Sequence, residues 1–271
     1  MRQYRLIIDP PANGKHNMAV DDAIMTTVAN AESAPTLRLY AWNPPCLSLG
    51  HNQRSAEVDL ERLTAYGWDI VRRPTGGRAI LHTDELTYSI ILPTHHTLVR
   101  GAVVESYHQI SQALRVALQN LGLQPEANRH NKGGKSPAPA CFEAPSDYEI
   151  TTPDGRKLAG SAQVRRNGAI LQHGSLPLCG DIARICDALV YSDDTIRNQT
   201  KARVRCRAAT LADALDGKIV PWQTAADAVI HGFAETFGFA FARASLSPAE
   251  SALVEELLAT TYGNPDWTFQ K

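Results

Sequence analysis

Four short stretches carry residue types that can do chemistry. Arg72-Arg73-Pro74-Thr75-Gly76-Gly77-Arg78-Ala79-Ile80-Leu81-His82 sets two adjacent glycines among three arginines. Glycine lets a backbone approach a ligand closely, and guanidinium forks grip carboxylate or phosphate oxygens. An ordinary glycine turn with solvated arginines would give the same string. Gly155-Arg156-Lys157-Leu158-Ala159-Gly160-Ser161-Ala162-Gln163 joins cations to small residues. There Lys157 can donate to a carbonyl or an oxyanion, and the small side chains admit a ligand; a solvent-facing edge-strand lysine is the competing reading. Pro139-Ala140-Cys141-Phe142-Glu143-Ala144-Pro145-Ser146 places Cys141 at the end of a Gly/Pro loop, whereas Cys46, Cys179, Cys186 and Cys206 lie in or beside regular elements. Most cysteines are inert core residues, but an accessible thiol near cations becomes a thiolate and a nucleophile. In Leu171-Gln172-His173-Gly174-Ser175, His173 either reaches the site across a hairpin or is a hydrogen-bonded structural histidine.

Two further motifs are set aside. Gly134-Lys135-Ser136 ends like a phosphate-binding loop, but position 129, where that loop needs a glycine, is arginine. His95-His96 has no carboxylate or cysteine at ligand spacing, so no metal is expected.

The elements that hold these stretches follow from patterning. Strands are expected at 4–8, 36–42, 46–49, 69–73, 79–81 and 86–92, and helices at 16–31, 55–66 and 101–121. Residues 125–140 read as a loop. Segments 157–164 and 169–176 form a hairpin around Asn167-Gly168, among the strongest short turn signals. Helices are expected at 180–189, 208–215, 222–236 and 248–260. Strands followed by helices suggest an α+β fold with a mixed sheet. Residues 1–215 are expected to form the main domain and 216–271 a small helical segment packed on it.

Composition closes off other classes. The chain has 271 residues, is 44% hydrophobic and 20% charged, and balances 27 Lys plus Arg against 28 Asp plus Glu, a net charge of -1. That is a globular composition without the basic field of a nucleic-acid binder. No run approaches the ~18 apolar residues of a membrane span. The start, MRQYRLIIDPP, lacks the apolar core of a secretory signal, so a cytoplasmic location is expected. Five cysteines without C-x-x-C spacing argue against a disulfide framework.

In order and spacing, the strings NMAVDDA at 17–23, RRPTGGRAILH at 72–82, GRKLAGSAQ at 155–163 and LQHGSL at 171–176 resemble the lipoate–protein ligase and octanoyltransferase family, related to biotin–protein ligases. The resemblance covers roughly residues 1–215, and Tyr262 to Trp267 is similar to the family's C-terminal end. It implies the fold of that catalytic domain: a central mixed β-sheet flanked by helices, class II aminoacyl-tRNA synthetase-like. PACFEAPSDYE at 139–149 looks like the catalytic segment of the cysteine-dependent octanoyltransferases, which makes Cys141 the nucleophile. Lys157 is then the lysine that contacts the acyl carbonyl. Arg72, Arg73, Thr75, Gly76, Gly77, Arg78 and His82 belong to the acyl and donor pocket, with Gly160, Ser161, Ala162, Gln163 and His173 also lining it. Arg78 stands where ATP-dependent ligases commonly carry a third glycine.

This implies transfer of octanoyl from an acyl carrier protein, through a cysteine thioester, to a lysine of a lipoyl-carrier protein. The acceptor would be a glycine cleavage H protein or a dehydrogenase E2 domain. An acyl thioester is already activated, so no cofactor is required; ATP and Mg enter only under the alternative, a lipoate–protein ligase working through a lipoyl-adenylate. A non-catalytic binding protein on the same scaffold would not need Cys141 and Lys157. A Cys-His hydrolase lacks a defined Asp or Asn partner. Segments 71–81, 156–166 and 197–207 hold three, four and five basic residues and no acidic ones, so a clustered basic rim for an acidic carrier is expected.

Overall fold

The computed structural model describes residues 3–128 and 149–271. Its spine is a mixed sheet. In chain order the strands are β1 (Gln3–Ile8), β2 (Thr36–Tyr40), β3 (Cys46–Leu49), β4 (Asp69–Arg72), β5 (Ile80–His82), β6 (Glu85–Pro93), β7 (Glu126–Asn128), β8 (Glu149–Thr151), β9 (Lys157–Arg166), β10 (Ala169–Pro177) and β11 (Ala240–Arg243). Among the described residues, eight strands run in the order β11-β1-β2-β6-β10-β9-β8-β7, and β4-β3-β5 form a second, small sheet. β1 is parallel to both β2 and β11, while β2, β6, β10, β9, β8 and β7 pair antiparallel in succession.

The helices are α1 (Gly14–Ala29), α2 (Leu60–Tyr66), α3 (Val103–Asn120), α4 (Asp194–Arg207), α5 (Leu211–Ala214), α6 (Trp222–Phe237), α7 (Pro248–Leu257) and α8 (Pro265–Phe269). Both faces of β10 are buried because helices cover both. Ala169 and Leu171 pack with Ile24 and Val28 of α1, whereas Ile170 and Leu176 pack with Leu114 of α3 and Val229 of α6. This explains why β10 lacks a polar face. A third apolar cluster joins the small sheet to Val204 of α4 and to the 3-10 run Ile182–Ala188.

Local signals set the boundaries. Gly67 and Gly238 close α2 and α6 in the left-handed conformation that glycine adopts freely. Asn167 and Gly168 both have positive φ, the condition for a tight hairpin turn of this kind. Ser247 and Glu250 form a reciprocal capping box at the start of α7, with proline in its first turn.

Several expectations are corrected. Helix 180–189 is the shorter 3-10 run, and 194–207 forms α4 where none was expected. Only Leu211–Ala214 of the expected 208–215 helix is helical, and residues 126–128 of the expected loop form β7. The segment from 216 onward contributes a strand as well as helices. β11 extends the main sheet beside β1, so this segment shares the main sheet. Among the described residues, no helix is long and apolar enough to cross a membrane.

Candidate active site

A cavity of about 420 Å³, its open mouth included, lies between the two sheets and the start of α1. Met18, Trp42 and Ile80 give it apolar walls, and Ser48, Arg73, His82, Thr87 and His173 give it polar points. Gly77 and Gly160 to Ala162 approach from opposite sides. Strand alternation sorts β9. Ala162 pairs with His173 and Gly160 with Ser175, so these residues share the cavity face. Gln163 is turned away and donates to Gln172 and to Ser106 of α3, at 2.9 and 3.1 Å. The side chain of Ser161 likewise meets Tyr88 Oη at 2.8 Å.

Two glycines make the walls possible. A Cβ on Gly50 would stand 2.0 Å from the Gly77 carbonyl oxygen, so the turn after β3 and the glycine loop touch backbone to backbone. A Cβ on Gly174 would stand 2.5 Å from the Tyr88 ring.

Arg72 and Arg73 do other work than gripping a substrate anion. Arg72 is fully buried and faces the carbonyls of Gly50, His51 and Gln53 on one side and of Trp267 and Thr268 on the other. It clamps the C-terminal tail to the turn after β3. Arg73 spends its whole fork on the protein. Nη1 donates to the Ser48 carbonyl and hydroxyl, Nη2 to the carbonyls of Gly76 and Arg78, and Nε to Thr75 Oγ1. Three of these contacts hold the glycine loop in shape, and the two to Ser48 tie it to β3. Arg78 lies nearer solvent, 3.8 Å from Glu57.

Two histidines are fixed by what surrounds them. Thr75 Oγ1 accepts from Arg73 Nε and is hydrogen-bonded to His173 Nε2 at 2.7 Å. His173 Nδ1 faces Asp21, 3.7 Å away. Burial, helped by the Arg73 charge, pushes the His173 imidazole below its ordinary range despite Asp21. Asp21 is itself buried and works against that burial. Arg38 at 2.9 Å, with the contact to His173, holds its carboxyl below the usual range, and the hydroxyls of Tyr40 and Ser89 also donate to it. His82 stacks on Trp42, the ring centres 3.9 Å apart. Its Nδ1 meets Glu85 Oε1 at 2.7 Å and its Nε2 meets Ser48 Oγ at 2.8 Å. Burial would raise the Glu85 carboxyl, but His82, Ser175 and Thr87 outweigh it and hold it below its ordinary value.

Lys157 is buried at the start of β9, three residues before the cavity wall. Its carbonyl accepts from the Ala209 amide at 2.9 Å. Cys141 lies outside the described residues. Cys46 and Cys186 are buried, and burial pushes the Cys46 thiol well up, as befits packing residues. Among the described residues no cluster of His, Cys, Asp or Glu is placed to hold a metal. Reading residue types alone missed Ser48, Glu85 and the buried polar side of α1. The hint was present: Asn17 and Asp21 stand one turn apart beside the apolar Met18, Val20 and Ile24.

The expected basic rim does not form as one surface. Arg72, Arg73, Lys157 and Arg197 are buried. Arg165 and Arg166 sit at the far end of β9, roughly 30 Å along the strand from Lys157. There Arg166 pairs with Asp22, and Arg165 donates to Ser106 and the Gly101 carbonyl.

The fold is that of the lipoate ligases. A bipartite lipoate protein ligase from Thermoplasma acidophilum superimposes with a TM-score of 0.82 over 99% of this chain and 97% of its own, at 24% identity. The sequence adds the family. A model described as the lipoyl protein ligase A/B catalytic domain matches residues 13–234, and the chain belongs to that family. Among similar proteins are the octanoyltransferase LipM of Kyrpidia tusciae, 39% identical with both chains covered completely, and that of Staphylococcus aureus, 37% identical over 94% of each.

Proposed function

We propose that the chain is a protein octanoyltransferase. It takes octanoyl from an acyl carrier protein onto Cys141 and passes it to a lysine of a lipoyl-carrier protein, a glycine cleavage H protein or a dehydrogenase E2 domain. The observation that carries this reading is identity of 36–39% to octanoyltransferases along essentially the whole chain. The cavity agrees, since small-ligand sites are mostly apolar pockets with a few fixed polar groups.

In the first step the Cys141 thiolate attacks the thioester carbonyl, a new C–S bond forms and the carrier thiolate leaves. In the second the acceptor lysine nitrogen attacks, the amide forms and the Cys141 thiolate is regenerated with loss of one proton. Lys157 supports the oxygen that gains charge in both steps. Two exchanges at one activated carbonyl need neither ATP nor Mg. Cytoplasmic action fits this reading, because the donor is an acyl carrier protein.

Intact-mass measurement tests it. Incubation with octanoyl carrier protein and no ATP adds one octanoyl group to the enzyme and then to a lipoyl domain. An acceptor modified only with free octanoate plus ATP would replace this reading with the ligase.

A further inference from the structure

We propose that Ser48, His82 and Glu85 form a proton relay in the cavity wall that deprotonates the incoming acceptor lysine. The proposal rests on the octanoyltransferase reading and names the base it needs. A lysine ammonium has a pKa of ~10.4 and cannot attack a thioester until it loses a proton.

With the imidazole neutral and its Nδ1–H given to Glu85, His82 Nε2 carries the lone pair, and the Ser48 hydroxyl 2.8 Å away donates to it while accepting from Arg73 Nη1 at 3.1 Å. Ser48 and His82 both line the cavity, and Trp42 packs flat on the imidazole and fixes its plane. A hydroxyl that can hand its proton to a carboxylate-backed imidazole can take one from a substrate amine. The parallel chain Thr75–His173–Asp21 is less suited, because Thr75 does not line the cavity and His173 Nδ1 stands 3.7 Å from Asp21, against 2.7 Å between His82 Nδ1 and Glu85. Among the described residues, the charged or titratable groups around His82 include Glu85 on β6, Arg73 after β4, His173 on β10 and, on β3, Cys46, the register partner of His82.

The step balances. The lysine ammonium gives one proton to Ser48 Oγ, and Ser48 passes its original proton to His82 Nε2. The neutral amine then attacks the thioester carbon, the C–N bond forms and the C–S bond breaks. Cys141 leaves as the thiolate, the nitrogen sheds its second proton to solvent, and Nε2 releases the relayed proton to solvent through Ser48.

The test uses full-length enzyme, S-octanoyl pantetheine as donor and two competing acceptors, a lipoyl domain and hydroxylamine, with the enzyme-free rate subtracted. Hydroxylamine is uncharged at neutral pH and needs no base. For Ser48→Ala and His82→Gln the ratio of lysine to hydroxylamine product should fall about 10²-fold at pH 7, the usual contribution of a general base. The deficit should narrow toward pH 10, as the acceptor amine becomes neutral unaided. Because the ratio is internal, partial unfolding does not mimic the effect. Glu85→Gln provides a second reading, with a smaller fall in the same direction. An unchanged ratio in Ser48→Ala and His82→Gln, with both products reduced equally, would overturn the relay. Absence of any octanoyl product with wild-type enzyme would instead overturn the octanoyltransferase reading.

Discussion

Arg5 and Glu250, separated by 245 residues, meet in a two-pronged ion pair at 2.6 and 2.9 Å. Thr27 and Ser33 also donate to Glu250. Although burial opposes ionisation, the bond from Arg5, the Ser247 amide and Thr27 pull the carboxyl from 4.5 down to about 2. A depressed carboxylate stabilises the fold at pH above its unfolded value. That contribution should be complete above about pH 4.5 and disappear as pH falls toward 2. Glu250→Gln should cost about 1–3 kcal/mol at neutral pH and flatten the acid limb of stability against pH, measured by urea unfolding.

Arg72→Met should destabilise the protein by about 3 kcal/mol or more, because it strands several buried carbonyls at once. Turnover per folded molecule should change far less. Thermal unfolding of purified variant beside its KM for donor separates the two. A large KM change with unaltered stability would return Arg72 to the substrate pocket.

Gly50→Ala drives a methyl group into the Gly77 carbonyl, which is backbone and cannot yield cheaply. Displacing the glycine loop should lower transfer at least about 10-fold and cost roughly 1–3 kcal/mol. Paired assays of rate and unfolding report it.

Cys141→Ser should abolish the octanoyl adduct and most transfer, and Lys157→Ala should cost about 10²–10³ in rate, as loss of an oxyanion donor does. Substituting Cys46, Cys179, Cys186 or Cys206 should leave the chemistry intact. Intact mass and acceptor octanoylation in parallel decide it. A Cys141→Ser protein transferring at near wild-type rate would end the acyl-enzyme mechanism.

The hairpin of β9 and β10 was legible because Asn167-Gly168 and its flanking strands act within a few residues of each other. α4 was hidden because its buried positions, Arg197, Thr200 and Val204, make no apolar stripe. β11 was hidden because four residues at a sheet edge carry little pattern. At the site, Gly77, Gly160, Ala162, His82 and His173 could be anticipated as neighbours. The tasks of Arg72 and Arg73 could not. Where a guanidinium points depends on carbonyls brought in from elsewhere, those of Trp267 and Thr268 among them. Ser48 and Glu85 are ordinary polar residues until folding puts His82 between them.

The pairing of β11 with β1 has a consequence for how this molecule is made. During synthesis β1 leaves the ribosome well before its edge partner, which is encoded far downstream. Until Ala240–Arg243 emerges, a nascent strand carrying Leu6 and Ile7 presents open backbone groups to any neighbouring chain. Arg5 and Arg72 wait as long for Glu250 and Trp267. The sheet therefore closes late, and ribosomes stalled before residue 240 should display a molecule that recruits chaperones.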